Sequence, residues 1–213
     1  MPLIFILSGR FTKMFTGIVA TVGRITAVEE IDRQNYAYTI QGPTGFFDDS
    51  RLGDSIMVTG VCLSIVDKSD QQARFEIMAP TVAQTTFGNL VVGDRVNLEK
   101  SLPLAGRLDG HFVLGHVDGR GKIISQTKVG QTVELEIQVE DESLWPYFVS
   151  KGSVALDGTS LTIVRVVGSV LTIGLIPITQ ANTTFGTKQV GDFVNVETDI
   201  LAKYSQRQEA LHV

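Results

Sequence analysis

The sequence predicts an all-β protein built from two copies of one small barrel, and three observations carry that expectation. The first is a repeat. GVCLSIV at Gly60–Val66 returns 98 residues later as GTSLTIV at Gly158–Val164. TTFG at Thr85–Gly88 returns at Thr183–Gly186, and GDRVNLE at Gly93–Glu99 returns as GDFVNVE at Gly191–Glu197. Over Thr85–Glu99 against Thr183–Glu197, 10 of 15 positions are identical. The offset never shifts, and the period is far longer than a solenoid repeat, so the duplication is of a whole domain. The second observation is strand chemistry: segments rich in Val, Ile and Thr, bounded by Gly and Asp. The third is that helical patterning is confined to the C-terminal end and one short stretch.

Taken in order, Met1–Lys13 reads as an extension. Its apolar run, Leu3–Leu7, is too short for a secretory core and has no basic residue before it. Met14 is an alternative start. The copies span about 14–104 and 112–202, joined near Leu104–Gly110. As domains, this gives an extension (1–13), an N-terminal barrel (14–110), a C-terminal barrel (111–200) and a C-terminal helix (201–213). GIVATVGRI at Gly17–Ile25 aligns with GHVDGRGKI at Gly115–Ile123. IMVTGVCLSIVD and VALDGTSLTIVRV read as strands; RFEIMAP and LTIGLIP read as short strands ended by Pro; GDRVNLE reads as a Gly-Asp turn and an alternating strand. Several short strands in 90 residues suggest a small closed or nearly closed barrel. A short helix is expected at Thr81–Thr85, after Pro80. A second is expected from about Asp199, with Asp199 as N-cap and Leu201, Tyr204 and Leu211 on one face.

Composition narrows the function classes. The chain has 213 residues, 43% of them hydrophobic, and a formal charge of −5. That charge argues against nucleic-acid binding. No apolar run approaches the roughly 20 residues that span a bilayer. A single cysteine, Cys62, cannot form an internal disulfide. It is either a small buried hydrophobe or a thiol with a chemical role. A cytoplasmic location is expected.

MFTGIV at Met14–Val19, GVCLSIV, DGHFVLGHVDG at Asp109–Gly119 and KGSVALDGTSLTIV at Lys151–Val164 together resemble riboflavin synthase, the lumazine-dismutating family. The likeness covers about residues 14–205. It implies two tandem six-stranded Greek-key β-barrels with a short C-terminal helix. It also implies one 6,7-dimethyl-8-ribityllumazine per barrel, and a homotrimer with its active site between the N-terminal barrel of one subunit and the C-terminal barrel of the next. Two lumazines would react there. One would donate a four-carbon unit to the other, giving riboflavin and 5-amino-6-ribitylamino-uracil with no cofactor. A dismutation uses one molecule in two roles, which gives the duplication a reason. Cys62 against Ser160 is the clearest chemical difference between the copies.

The resemblance assigns candidate residues. Cys62, Ser55, His116 and His111 are the catalytic candidates, His111 for proton movement near neutral pH. His116 is expected beside the second ligand. Gly17, Ile18, Val19, Gly115, His116 and Val117 match backbone-contact segments. Cys62, Leu63 and Ser64 match one wall of the N-terminal site; Ser160, Leu161, Thr162 and Lys151 match the C-terminal site. The segments Glu76–Thr81 (Glu76, Ile77, Met78, Thr81) and Gly174–Thr179 (Gly174, Leu175, Ile176, Pro177, Thr179), read as strands, form the other walls. Pro80 and Ile178 stand where the family often has glutamate. Phe15 belongs to a segment that the family uses near the active site, and Asp199 matches an acidic residue near the subunit interface. His111 and His116 with Asp109 and Asp118 lack the spacing of a closed zinc site, so no metal is expected. The rival reading is a non-catalytic lumazine- or flavin-carrying antenna protein on the same double barrel; retention of Cys62, His111 and His116 favours the enzyme. A flavoprotein reductase barrel would need a Gly-rich phosphate loop, and none is evident. The short tail after Asp199 predicts a weakly held trimer.

Overall fold

A computed structural model describes residues 14–209. Met1–Lys13, and Leu211 of the expected helix face, lie outside the described residues. The N-terminal barrel has six strands: β1 (Thr21–Asp32), β2 (Asn35–Gln41), β3 (Ser55–Val58), β4 (Val61–Lys68), β5 (Gln72–Ile77) and β6 (Arg95–Lys100). All pair antiparallel and close in the order β1-β2-β5-β4-β3-β6, with β6 back against β1. Hairpin-connected β3, β4 and β5 lie beside β2, which reaches β3 by a long connection; this is a Greek key. The C-terminal barrel repeats the plan with β7 (Gly119–Val129), β8 (Thr132–Val139), β9 (Ser153–Leu156), β10 (Thr159–Val167), β11 (Val170–Leu175) and β12 (Phe193–Thr198). Closure leaves neither sheet an unpaired edge.

Alternation decides which side chains fill each barrel. In β5, Ala73, Phe75 and Ile77 are buried while Arg74 and Glu76 are not. In β10, Thr159, Leu161 and Ile163 point inward. One core gathers Ile40, Phe75 and Leu98, the other Ile137, Ile163 and Val196. Each such side chain contributes about 1.5–3 kcal/mol on burial. The register slips between Ile25 and Ala27 and between Ile65 and Asp67, and again at the equivalent Ile123/Ser125 and Ile163/Arg165. Such bulges bend a strand enough to close a small barrel.

After β5 and β11 the chain turns into short helices, α1 (Ala79–Gln84) and α2 (Pro177–Asn182). The strand reading of Glu76–Thr81 and Gly174–Thr179 holds through Ile77 and Leu175 and is corrected beyond them. Pro80 and Pro177 sit in the first turn, where a missing N–H costs nothing, and so start helices rather than merely ending strands. The helix read from Thr81 therefore begins two residues earlier. At the C-terminus, α3 (Ile200–Glu209) starts where expected: Asp199 Oδ1 accepts from Leu201 N at 2.9 Å. Lys203 Nζ meets Asp118 Oδ1 at 2.7 Å, tying α3 to the C-terminal barrel. Leu201 and Tyr204 are exposed. No helix among the described residues is long and apolar enough to cross a membrane.

The barrels join through residues that meet their own repeat counterparts. Phe15 and Val113, 98 positions apart, form an antiparallel bridge (2.7 and 3.2 Å), and both are fully buried with Met57 and Ala155. Phe15 is thus inter-barrel core. Asn97 Oδ1 accepts from Thr184 N (2.8 Å) and its Nδ2 donates to Asp157 O (2.9 Å). Asn195 answers with Thr86 N (2.7 Å) and Thr59 O (2.7 Å). Conserving both Asn side chains within the repeat satisfies four buried backbone groups that meet across the barrels.

Candidate functional site

Beside β4, a cleft of about 540 Å³ is lined by Val61, Cys62, Leu63, Ser64 and Val66, by Glu76, Ile77 and Met78, and by Thr81, Gln84 and Thr85. Its remaining wall is Gly115, His116 and Val117. Cys62, Leu63, Ser64, Glu76, Ile77, Met78 and Thr81, all candidates from the sequence, therefore converge on one cleft. His116 lines the same cleft as Cys62. Gly17–Val19 and Gly115–Val117 are also not strands: Gly17 (φ 75) and Gly115 (φ 74) adopt left-handed conformations that end regular pairing.

The crossing of the two segments is set by hydrogen bonds. Cys62 N donates to Gly115 O at 2.9 Å, and Ser160 N donates to Gly17 O at 2.7 Å. Each segment thus covers the β4 or β10 strand of the opposite copy, while a carboxylate of its own barrel holds it. Glu197 accepts from Leu114 N (2.7 Å), Gly115 N (2.9 Å) and His116 N (3.2 Å). Glu99 accepts from Thr16 N (2.7 Å), Thr16 Oγ1 (2.8 Å) and Gly17 N (3.0 Å). Sequence reasoning missed both glutamates, although GDxVNxE was quoted in each copy. A Glu ending a barrel strand at the same place in both repeats was the available signal.

At the other site, Ser160 Oγ lies 2.7 Å from His111 Nδ1, and His111 N donates to Thr16 O at 3.1 Å. His111 is buried, and that burial holds its imidazole below the ordinary histidine range against the opposing pull of Asp199. A neutral ring keeps one nitrogen as acceptor. The two sites therefore each hold one histidine and one small nucleophile-type side chain: Cys62 with His116, and Ser160 with His111. The histidines come from different repeat positions, since His116 aligns with Ile18. Leu161 and Thr162 follow Ser160 on β10; Gly174 and Leu175 end β11; Ile176, Pro177 and Thr179 lead into and form α2.

Ser55 and Lys151 are candidates that do not line the cleft. Ser55 is buried on β3, paired in register with Ser64, and does not line it. Lys151 occupies an exposed left-handed turn (φ 68), its N–H donating to Ile163 O at 2.7 Å. Gln84, which the sequence reading did not select, lines the cleft one turn after Thr81 and donates to Asp118 O at 2.9 Å. Reading the segment as helix exposes that i, i+3 relation. A second cleft, also about 540 Å³, runs between the barrels past Arg24, Asp157 and Lys188, and none of the candidate residues lines it.

Burial pushes both Glu99 and Glu197 up to about 7, against the N–H donors that favour their charged forms. Beside Glu197, Lys203 opposes the rise and Asp118 adds to it. Because the folded pKa is raised above the unfolded value near 4.5, the native state binds the extra protons between those values. Unfolding free energy is then expected to fall as pH rises from about 4.5 to about 7. Urea titrations at pH 5 and pH 7 check this, and the drop should shrink in Glu99→Gln. A drop of the same size in that variant would remove Glu99 as a cause. His111 acts oppositely: its lowered pKa costs stability as pH falls below its unfolded value.

Comparisons with known proteins agree with this architecture. Residues 16–101 and 114–199 each match the lumazine binding domain. The chain is 36% identical over 200 residues to riboflavin synthase of Schizosaccharomyces pombe, covering 94% of this chain and 96% of that one. It is 39% identical over 194 residues to riboflavin synthase of Bacillus subtilis, covering 91% and 89%. Among solved structures, LumP complexed with riboflavin superposes with a TM-score of 0.79 at 26% identity, covering 86% of this chain and 98% of that one. LumP complexed with 6,7-dimethyl-8-(1'-D-ribityl) lumazine gives 0.78 at 25%, with the same coverage. With a lumazine-binding domain in each half and riboflavin synthases matching nearly end to end, the chain belongs to the riboflavin synthase family of lumazine-binding transferases.

Proposed function

We propose that this chain makes riboflavin by dismutation of 6,7-dimethyl-8-ribityllumazine: one molecule gives up a four-carbon unit, leaving 5-amino-6-ribitylamino-uracil, and the other becomes riboflavin. The observation that carries the reading is the pair of crossed, repeated sites that differ at the groups able to do chemistry, Cys62 with His116 against Ser160 with His111. Donor and acceptor are the same compound, so the binding frame can be shared while the reactive side chains cannot. The cleft volume of about 540 Å³ suits a small heterocycle. The Ser64 hydroxyl in the cleft wall can donate to or accept from a flat pteridine-type ring. His116 stands where it can carry a proton to or from a ring substituent. Exposed Met78, Ile176 and Ile178 flank the two sites and give a second copy apolar surface to cover, in keeping with a homotrimer.

The test is direct. Purified protein is mixed with 6,7-dimethyl-8-ribityllumazine in chelator-containing buffer and riboflavin is followed by chromatography. One riboflavin per two lumazines consumed is expected. Tight binding without turnover would place the chain with non-catalytic carriers and reduce Cys62 to a packing residue.

A further inference from the structure

We propose that Glu197, a residue of the C-terminal barrel, is the positioning residue of the ligand cleft in the N-terminal barrel, and that Glu99 does the same for the Ser160 site in reverse. The proposal rests on the lumazine-site reading above and adds to it a wiring between the two sites. Its basis is geometric. Three consecutive backbone N–H groups, of Leu114, Gly115 and His116, converge on one buried carboxylate. The segment they belong to is not part of a strand, so ladder hydrogen bonds do not define its path. The segment meets the cleft strand where Cys62 N donates to Gly115 O. The carboxylate therefore sets where the Gly115 carbonyl and the His116 side chain stand relative to Cys62.

An ionised carboxylate can accept from all three donors, whereas an amide of the same shape must turn an NH2 toward at least one of them. Charge-assisted bonds of this kind are the strong ones. The strand that carries Glu197 also carries Asn195, whose side chain bonds Thr86 N and Thr59 O of the other barrel. Strand β12 thus touches the N-terminal barrel twice, once to join it and once to shape its cleft. By the repeat, β6 does the same with Asn97 and Glu99. Neither site is complete within one copy of the domain.

Hydrogen exchange read by mass spectrometry on the full chain tests this, with riboflavin as the probe ligand. In Glu197→Gln, peptides covering Leu114–Val117 are expected to exchange about tenfold faster without ligand, while peptides covering Thr16–Val19 stay at the wild-type rate. Glu99→Gln is expected to show the mirror image. With riboflavin, wild type should gain protection at Val61–Val66, and Glu197→Gln should lose it at a concentration that saturates wild type. Glu197→Asp keeps the charge but shortens the reach; it should fall between, and it serves if the Gln variant fails to fold. Unchanged exchange at Leu114–Val117 in Glu197→Gln, or equal acceleration in both segments, overturns the proposal. Absence of riboflavin protection in wild type would instead sink the ligand-cleft reading, and the ligand-free comparison would still decide the role of Glu197.

Discussion

Gly115→Ala is expected to destabilise the protein by about 3 kcal/mol and to abolish riboflavin binding beside Cys62. Two costs add. The backbone at Gly115 has φ 74, a conformation that costs a residue with a Cβ about 1 kcal/mol. The new methyl would also stand 2.6 Å from Cys62 Cβ and 2.7 Å from Cys62 N. Those are strand atoms and cannot swing aside, so the segment must lift. Lifting it breaks the Cys62 N–Gly115 O bond and pulls on the three N–H donors of Glu197. Gly130→Ala separates the two costs. Gly130 is also left-handed (φ 63) but has nothing within 4 Å of the added carbon, so only the conformational part should appear. Urea denaturation of both variants, with riboflavin titrations, measures the difference. Equal stabilities for the two would mean that the close approach of segment and strand carries no weight.

The same pair of segments shows what the sequence made legible. The duplication, the strand chemistry and the C-terminal N-cap at Asp199 are local or periodic signals, and each is where the residues placed it. The N-terminal cleft was also readable, since Cys62, Ser64, Glu76 and Thr81 come from elements that neighbour one another within one copy. What the repeat concealed is which copy each connecting segment serves. A 98-residue offset says that Gly17–Val19 and Gly115–Val117 are equivalent, but equivalence is preserved equally well if both stay at home or both cross. Only the long-range bonds Cys62–Gly115 and Ser160–Gly17 distinguish these, and they join positions with no sequence relation to each other. For that reason the sequence alone did not place His116 beside Cys62. The end of the Glu76–Thr81 segment was misread for a different reason: Pro80 was taken as a strand stop, while its fixed φ equally begins a helix.

The repeat also supplies its own control for the buried ion pair between Asp157 and Lys188. Asp157 is fully buried, with Lys188 Nζ 3.0 Å from its Oδ2 and Asn195 N donating to its Oδ1 at 2.8 Å. At the equivalent positions of the first copy stand Thr59 and Leu90. Thr59 Oγ1 accepts from Asn97 N at 3.1 Å, which is the same backbone bond, and Leu90 packs against the apolar core. One copy therefore meets this inter-barrel corner with an ion pair and the other with a hydroxyl and an alkyl chain. Lys188→Ala is expected to cost about 3–5 kcal/mol, because it leaves a carboxylate in the interior without its counter-charge. Asp157→Thr with Lys188→Leu, which copies the first repeat, should lie within about 1 kcal/mol of wild type, since exchanging a buried pair for well-packed groups is often neutral. Urea titrations of the singles and the double form the cycle, and a double variant as damaged as Lys188→Ala would show that the two corners are not interchangeable. The pH dependence adds a second check. Burial already pushes the Asp157 carboxyl up while Lys188 holds it down; without Lys188 it should bind a proton more readily. The deficit of Lys188→Ala should then shrink as the pH falls, because a protonated Asp157 no longer places a bare charge between the barrels.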